Sequence, residues 1–161
     1  MTSVNVKGNL VASGSANKTV QVWNMRTKQK LWHLQHEDKV KCVQLHDKYL
    51  ITCCYDKSTR IWDIETGKVI QKLVHPGKCY NCDLSPNKTL LAVASLTAVV
   101  LWDFKNATKI KEFKLGAKIA DVRFNQDGTR LVAGLHEGEV FKIDLIFGSE
   151  GAKTESEFTK N

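Results

Sequence analysis

Cys79-x-x-Cys82 sets two thiols at the spacing of a zinc half-site or a dithiol redox couple, with His75 just before them and Cys42 as a further candidate ligand. A tetrahedral site needs more ligands at comparable spacing, and the chain has no second C-x-x-C pair. His33, His36, His46, His75 and His136 could move protons, but none stands at a motif spacing from a serine, cysteine or carboxylate. Asp56, in the turn-like Tyr55-Asp56-Lys57-Ser58, is the remaining candidate acid or base. There is no Gly-x-Ser-x-Gly, no phosphate-binding loop and no dinucleotide fingerprint. The expectation is a chain without catalytic residues, cofactor or metal.

The elements that carry these residues recur. Trp23-Asn24, Trp62-Asp63 and Trp102-Asp103 lie 39 and 40 residues apart, and Ile143-Asp144 follows 41 residues later. Counting from these anchors aligns an apolar triplet, Val40-x-x-Val43-x-Leu45, with Cys79-x-x-Cys82-x-Leu84 and Ile119-x-x-Val122-x-Phe124; the chain opens on the same pattern at Met1, Val4 and Val6. In that register Cys79 and Cys82 stand where other copies place valine or isoleucine, so they read as small buried apolar residues of a strand. A second short strand follows in each copy (Val11-Ala12-Ser13, Leu50-Ile51-Thr52, Leu90-Leu91-Ala92, Leu131-Val132-Ala133), then a third ending on the signature pair. Outer strands follow at residues 30–34, 69–73 and 109–113, and the fourth copy has none that can be recognised. Each unit is thus a small antiparallel sheet that cannot bury both faces alone, so neighbouring units must stack.

A forty-residue period ending in Trp-Asp resembles the WD-repeat β-propeller family over residues 1–145. The resemblance implies an all-β fold: a partial propeller of about four four-stranded antiparallel blades, near residues 1–34, 35–73, 74–113 and 114–145, incomplete at both ends, followed by a disordered tail at 146–161. It also implies a structural tetrad in each blade. The second blade matches in full with His36, Thr52, Asp56 and Trp62, where Asp56 is expected to hold His36 and the turn amides. The first blade offers Ser13, Asn17 and Trp23, the third His75 and Trp102, and the fourth none. With closed propellers needing roughly four to eight blades, a segment of a larger propeller is expected.

By the same resemblance, partner-binding positions fall on Lys41, Tyr55, Tyr80 and His136, and a cation beside two amphipathic rings suits an acidic or phosphorylated peptide. The implied role is a non-enzymatic interaction scaffold presenting a protein- or peptide-binding top face; the second blade is similar to those of F-box WD-repeat proteins, substrate receptors of ubiquitin ligases. A net charge of +7, spread along the chain as lysine, supports a second reading as an RNA- or nucleic-acid-associated propeller, and a third is a truncated product without independent function. Five cysteines, two of them adjacent, do not form a secreted disulfide framework, and no apolar run is long enough for a signal peptide or a bilayer span. A cytoplasmic or nuclear protein that does not bind membranes is expected, whose partners include the remaining blades of a parent propeller or another chain.

Overall fold

The computed structural model describes residues 1–148 and 151–153. Among these every regular element is a strand. The first sheet, β1 to β4, comprises Ser3–Lys7, Leu10–Gly14, Thr19–Asn24 and Gln29–Gln35; the second, β5 to β8, comprises Val40–His46, Tyr49–Cys54, Ser58–Asp63 and Val69–Val74. The third, β9 to β12, comprises Cys79–Leu84, Leu90–Ser95, Ala98–Asp103 and Thr108–Lys114. Each is antiparallel, with the strands paired in chain order. Among the described residues the fourth sheet has three strands, β13 to β15, at Ile119–Phe124, Arg130–Leu135 and Val140–Asp144. Strands β16 (Ile146–Gly148) and β17 (Gly151–Lys153) pair as a hairpin, so the stretch 146–161 expected as a tail carries one regular element; the rest of it lies outside the described residues.

The signature pair has two local jobs. Before each of its three tryptophans the register of the third and fourth strands slips by one residue, between Val22 and Trp23, Ile61 and Trp62, and Leu101 and Trp102. The extra residue lies on the fourth strand, at Leu31, Ile70 and Ile110, and such a bulge bends that strand and increases its twist opposite the tryptophan. The residue after the tryptophan then closes the next turn: Asp63 Oδ1 accepts from the amides of Glu65 and Thr66 at 2.8 and 2.9 Å, and Asn24 Oδ1 from those of Arg26 and Thr27 at 2.9 and 3.2 Å. Asp103 does the same for Asn106 at 2.8 Å. These amides hold the Asp63 and Asp103 carboxyls below the usual range.

The chain divides into two compact units, Met1–Tyr80 and Asn81 onward. In the first, Ala12, Val20, Val22 and Leu34 of one sheet meet Val40, Val43, Leu45, Leu50 and Trp62 of the next. Gly14 permits this approach, because a Cβ there would stand 2.9 and 3.0 Å from methyls of Val40 and Val43. Trp32 packs over the turn at Gly67 and donates from Nε1 to the Ile64 carbonyl at 2.7 Å. In the second unit Leu90, Ala92, Val99 and Leu101 pack with Ile119, Val122, Leu131 and Ile143. No described helix is long and apolar enough to cross a membrane.

Candidate functional site

The second sheet assembles its polar centre from four elements. Thr52 on β6 is fully buried, and its Oγ1 receives the Trp62 indole N–H at 3.0 Å and lies 2.9 Å from His36 Nε2. The Thr52 hydroxyl also donates to the Arg60 carbonyl at 3.5 Å. Burial, and next the Arg60 guanidinium, lower the His36 pKa to about 4, with Asp56 and the Leu34 backbone pulling the other way. The imidazole therefore stays neutral at physiological pH, tilted against the Trp62 ring with centroids 5.4 Å apart.

Asp56 has other partners than the sequence suggests. Its Oδ1 accepts from the Ser58 amide at 2.9 Å and the Ser58 hydroxyl at 2.6 Å, and its Oδ2 pairs with Arg60 Nη2 at 2.8 Å. The turn amide is held as expected, but Arg60 takes the carboxylate oxygen foreseen for His36, because its guanidinium is itself buried and requires a counter-charge. Burial alone would raise Asp56, yet the Ser58 hydrogen bonds and the Arg60 charge outweigh it and the carboxyl lies below its ordinary value. Glu37 extends the network, 3.3 Å from Arg60 and 3.5 Å from Lys72. Arg60 was the residue missed from sequence; its place two before the signature tryptophan, on the same face of β7 as Trp62, was the available signal.

The other partial tetrads are not assembled in this way. In the first sheet Trp23 is 36% exposed and its indole turns to Gln21 Oε1 at 3.2 Å, while Asn17 accepts from the Thr19 hydroxyl at 2.6 Å. Ser13 takes no part in either contact. In the third sheet His75 and Trp102 are buried, with Ala92 and Leu96 at the hydroxyl and carboxylate positions.

Cys42, Cys53, Cys54, Cys79 and Cys82 are all buried, and none is in a disulfide. Burial pushes the Cys54 thiol up to about 11 and Cys79 higher still, which suits packing and opposes thiolate chemistry. Among the described residues no three histidines, cysteines or carboxylates are grouped as metal ligands.

Three of the four expected surface residues come together in the first unit. The Tyr55 and Tyr80 rings meet edge to face, with centroids 5.2 Å apart and an interplanar angle of 64°. Lys41, the extra residue of a bulge between Val40 and Cys42, carries its Nζ to 5.9 Å from the Tyr55 ring centroid. Lys78, which sequence reasoning missed, brings a second ammonium to 5.1 Å from the same ring. Burial, then the neighbouring Tyr80, raises the Tyr55 pKa, so its hydroxyl remains a donor at neutral pH. His136 is exposed on the turn after β14 in the second unit.

Comparison with known proteins agrees with this architecture. The model of the WD domain, G-beta repeat, matches residues 1–24 and 28–63. The chain is 33% identical to apoptotic protease-activating factor 1 of Rattus norvegicus over 83% of its length and 11% of that protein's. It is 28% identical to the poly(A)+ RNA export protein of Schizosaccharomyces pombe over 88% of its length and 39% of that protein's. The crystal structure of the WD40 β-propeller domain of Doa1 superposes with a TM-score of 0.78 at 22% identity, covering 86% of this chain and 49% of that one. The first curated relatives that the chain matches are longer, and it spans 11% to 49% of their length. WD-repeat relatives imply a protein-interaction scaffold, in a family that is generally non-enzymatic. With the signature bulges and turns, the stacked antiparallel sheets and these matches in agreement, the chain is a partial WD-repeat β-propeller.

Proposed function

We propose that this scaffold holds an acidic or phosphorylated peptide on the cluster formed by Lys41, Tyr55, Lys78 and Tyr80. The observation that carries the reading is the pair of ammonium groups, 5.9 and 5.1 Å from one tyrosine ring that is itself braced edge-on by a second. Paired aromatic rings offer rigid apolar area at small entropic cost, and the flanking cations supply charge-assisted hydrogen bonds to a carboxylate or phosphate. A substrate-recruiting part of a ubiquitin ligase is a narrower form of the same reading, which co-purification of a ligase subunit with the full chain would support. A cytoplasmic or nuclear location accords with either form.

The test is fluorescence anisotropy with the full chain and two labelled decapeptides, one rich in glutamate and phosphoserine and one rich in lysine. The acidic peptide binds, and Tyr80→Ala or Lys41→Ala weakens it by about tenfold or more, the scale of a hot-spot side chain. Equal affinity for both peptides, or binding indifferent to both substitutions, overturns the proposal. A second reading, RNA binding through the +7 charge, is favoured by the similarity to a protein named for poly(A)+ RNA export, and salt dependence separates the two.

A further inference from the structure

Arg60 carries a buried charge that its neighbours in the first unit answer only in part. The residue is 6% exposed on β7, and its Nη2 meets Asp56 Oδ2 at 2.8 Å. Its Nη1 is buried as well and has no hydrogen-bond partner among the described residues. A guanidinium offers Nη1 and Nη2 as a planar fork matched to the two oxygens of one carboxylate, and buried donors of native proteins are seldom left unserved. Asp56 does not close that fork, because its other oxygen is taken by the Ser58 amide and hydroxyl.

Glu37, in the loop between β4 and β5, stands at this edge and fills it poorly. Its Oε1 lies 3.3 Å from Arg60 Nη2 and 3.5 Å from Lys72 Nζ, and its side chain is 71% exposed. Lys72 is the cross-strand partner of Arg60 on β8, so the two cations stand side by side on one face of the second sheet. Contacts of this length at an exposed carboxylate are worth little and exchange readily with solvent. Glu37 thus takes the place of a carboxylate ligand through one oxygen, without serving Nη1.

We infer that Arg60 and Lys72 form a binding site for a carboxylate of a partner peptide, and that Glu37 is its internal stand-in. The incoming group displaces Glu37, takes Nη1 and Nη2 with its two oxygens and keeps Lys72 as the second cation. Charge selects the class. With Glu37 swung out, Arg60, Lys72 and Asp56 leave one net positive charge, which a carboxylate neutralises. A phosphate dianion would bring a surplus negative charge beside buried Asp56. The site shares no residue with the cluster of Lys41, Tyr55, Lys78 and Tyr80, and it stands whether or not that cluster holds a peptide.

The experiment follows the Arg60 guanidinium of the full chain by isotope-edited NMR during titration. The probes are a capped Gly-Glu-Gly peptide, whose only carboxylate is its side chain, a Gly-Gly-Gly peptide with a free C-terminal carboxylate, a capped Gly-Gln-Gly peptide and inorganic phosphate. The Arg60 resonance moves with one or both carboxylate peptides, the tighter of which names the source, and stays still with the glutamine peptide. Glu37→Gln removes the internal competitor and strengthens binding by about two- to fivefold, the occupancy that an exposed ion pair supports. Glu65→Gln takes the same charge from an exposed place in the turn between β7 and β8 and leaves the affinity unchanged. Lys72→Gln weakens binding by about threefold or more, and Tyr80→Ala does not alter it. Arg60 itself is kept, since Asp56 would lose its counter-charge. An Arg60 resonance that neither carboxylate peptide moves in the Glu37→Gln chain overturns the inference. Tighter binding of phosphate than of both peptides does so too, as does a gain from Glu37→Gln no larger than that from Glu65→Gln.

Discussion

Thr52 is the residue on which the second sheet's polar centre turns, since one hydroxyl serves both the Trp62 indole and the His36 ring. Thr52→Val keeps the shape and removes the partner of two buried nitrogens, so it costs about 1–3 kcal/mol in a urea melt. His36 makes a separate prediction about acid. Its folded pKa of about 4 lies below the ordinary 6.5, so above pH 6.5 the ring is neutral in both states and the stability is intact. Between 6.5 and 4 only the unfolded chain takes up the proton, and stability falls as the pH is lowered, by an amount on the order of 3 kcal/mol across the window. His36→Gln flattens that part of the profile. Asp56, also depressed, adds its loss only below the ordinary carboxylate range, so the two are separable by pH. His36, Thr52, Asp56 and Trp62 were legible through the resemblance to WD-repeat blades, whose tetrad positions the forty-residue repeat carries onto this sequence. The exchange of His36 for Arg60 as the partner of Asp56 was not, because it depends on a buried cation finding the nearest carboxylate in three dimensions.

Among elements, the strands were legible to within three residues because the repeat supplies several independent sightings of one pattern, each bounded by turn residues. The bulges were not. A bulge leaves no gap in the apolar pattern, and only the register slip between Val40 and Cys42 makes Lys41 the extra residue beside Tyr55. Likewise, the hairpin of β16 and β17 lies in a Gly- and Ser-containing stretch that read as a tail. The turn at Gly67 joins element to element in the first unit. Its φ of +66° disfavours a side chain, and a Cβ there would stand 2.4 Å from the Trp32 ring. Gly67→Ala therefore destabilises twice over, through backbone strain of about 1 kcal/mol and through overpacking of about 1–3 kcal/mol. A double-mutant cycle with Trp32→Leu measures the split: the smaller side chain relieves the overpacking and leaves the backbone term, so the two substitutions are less than additive.

For the whole molecule the open choice is between a surface that reads peptides and a charge that attracts polyanions, and ionic strength discriminates between them. The +7 charge arises from 24 lysines and arginines against 17 carboxylates. Several of these cations are committed within the fold: Arg60 to Asp56 and Glu37, Lys7 to Asp47, and Arg130 to Asp144. Lys41 and Lys78 remain beside an aromatic ring, where part of the binding energy comes from contact and is indifferent to salt. A ligand engaged through these two ammonium groups would release about two counterions, so its affinity should fall by less than tenfold between 50 and 200 mM salt. Poly(A) bound along a lysine-rich surface through six or more phosphates would lose on the order of a hundredfold or more over the same range, even at the shallower slope of single strands. Titrating the full chain with the acidic peptide and with poly(A) at both salt concentrations is therefore decisive. A shallow slope abolished by Tyr80→Ala supports the peptide scaffold, and a steep slope for poly(A) unaffected by that substitution assigns the charge to nucleic acid instead.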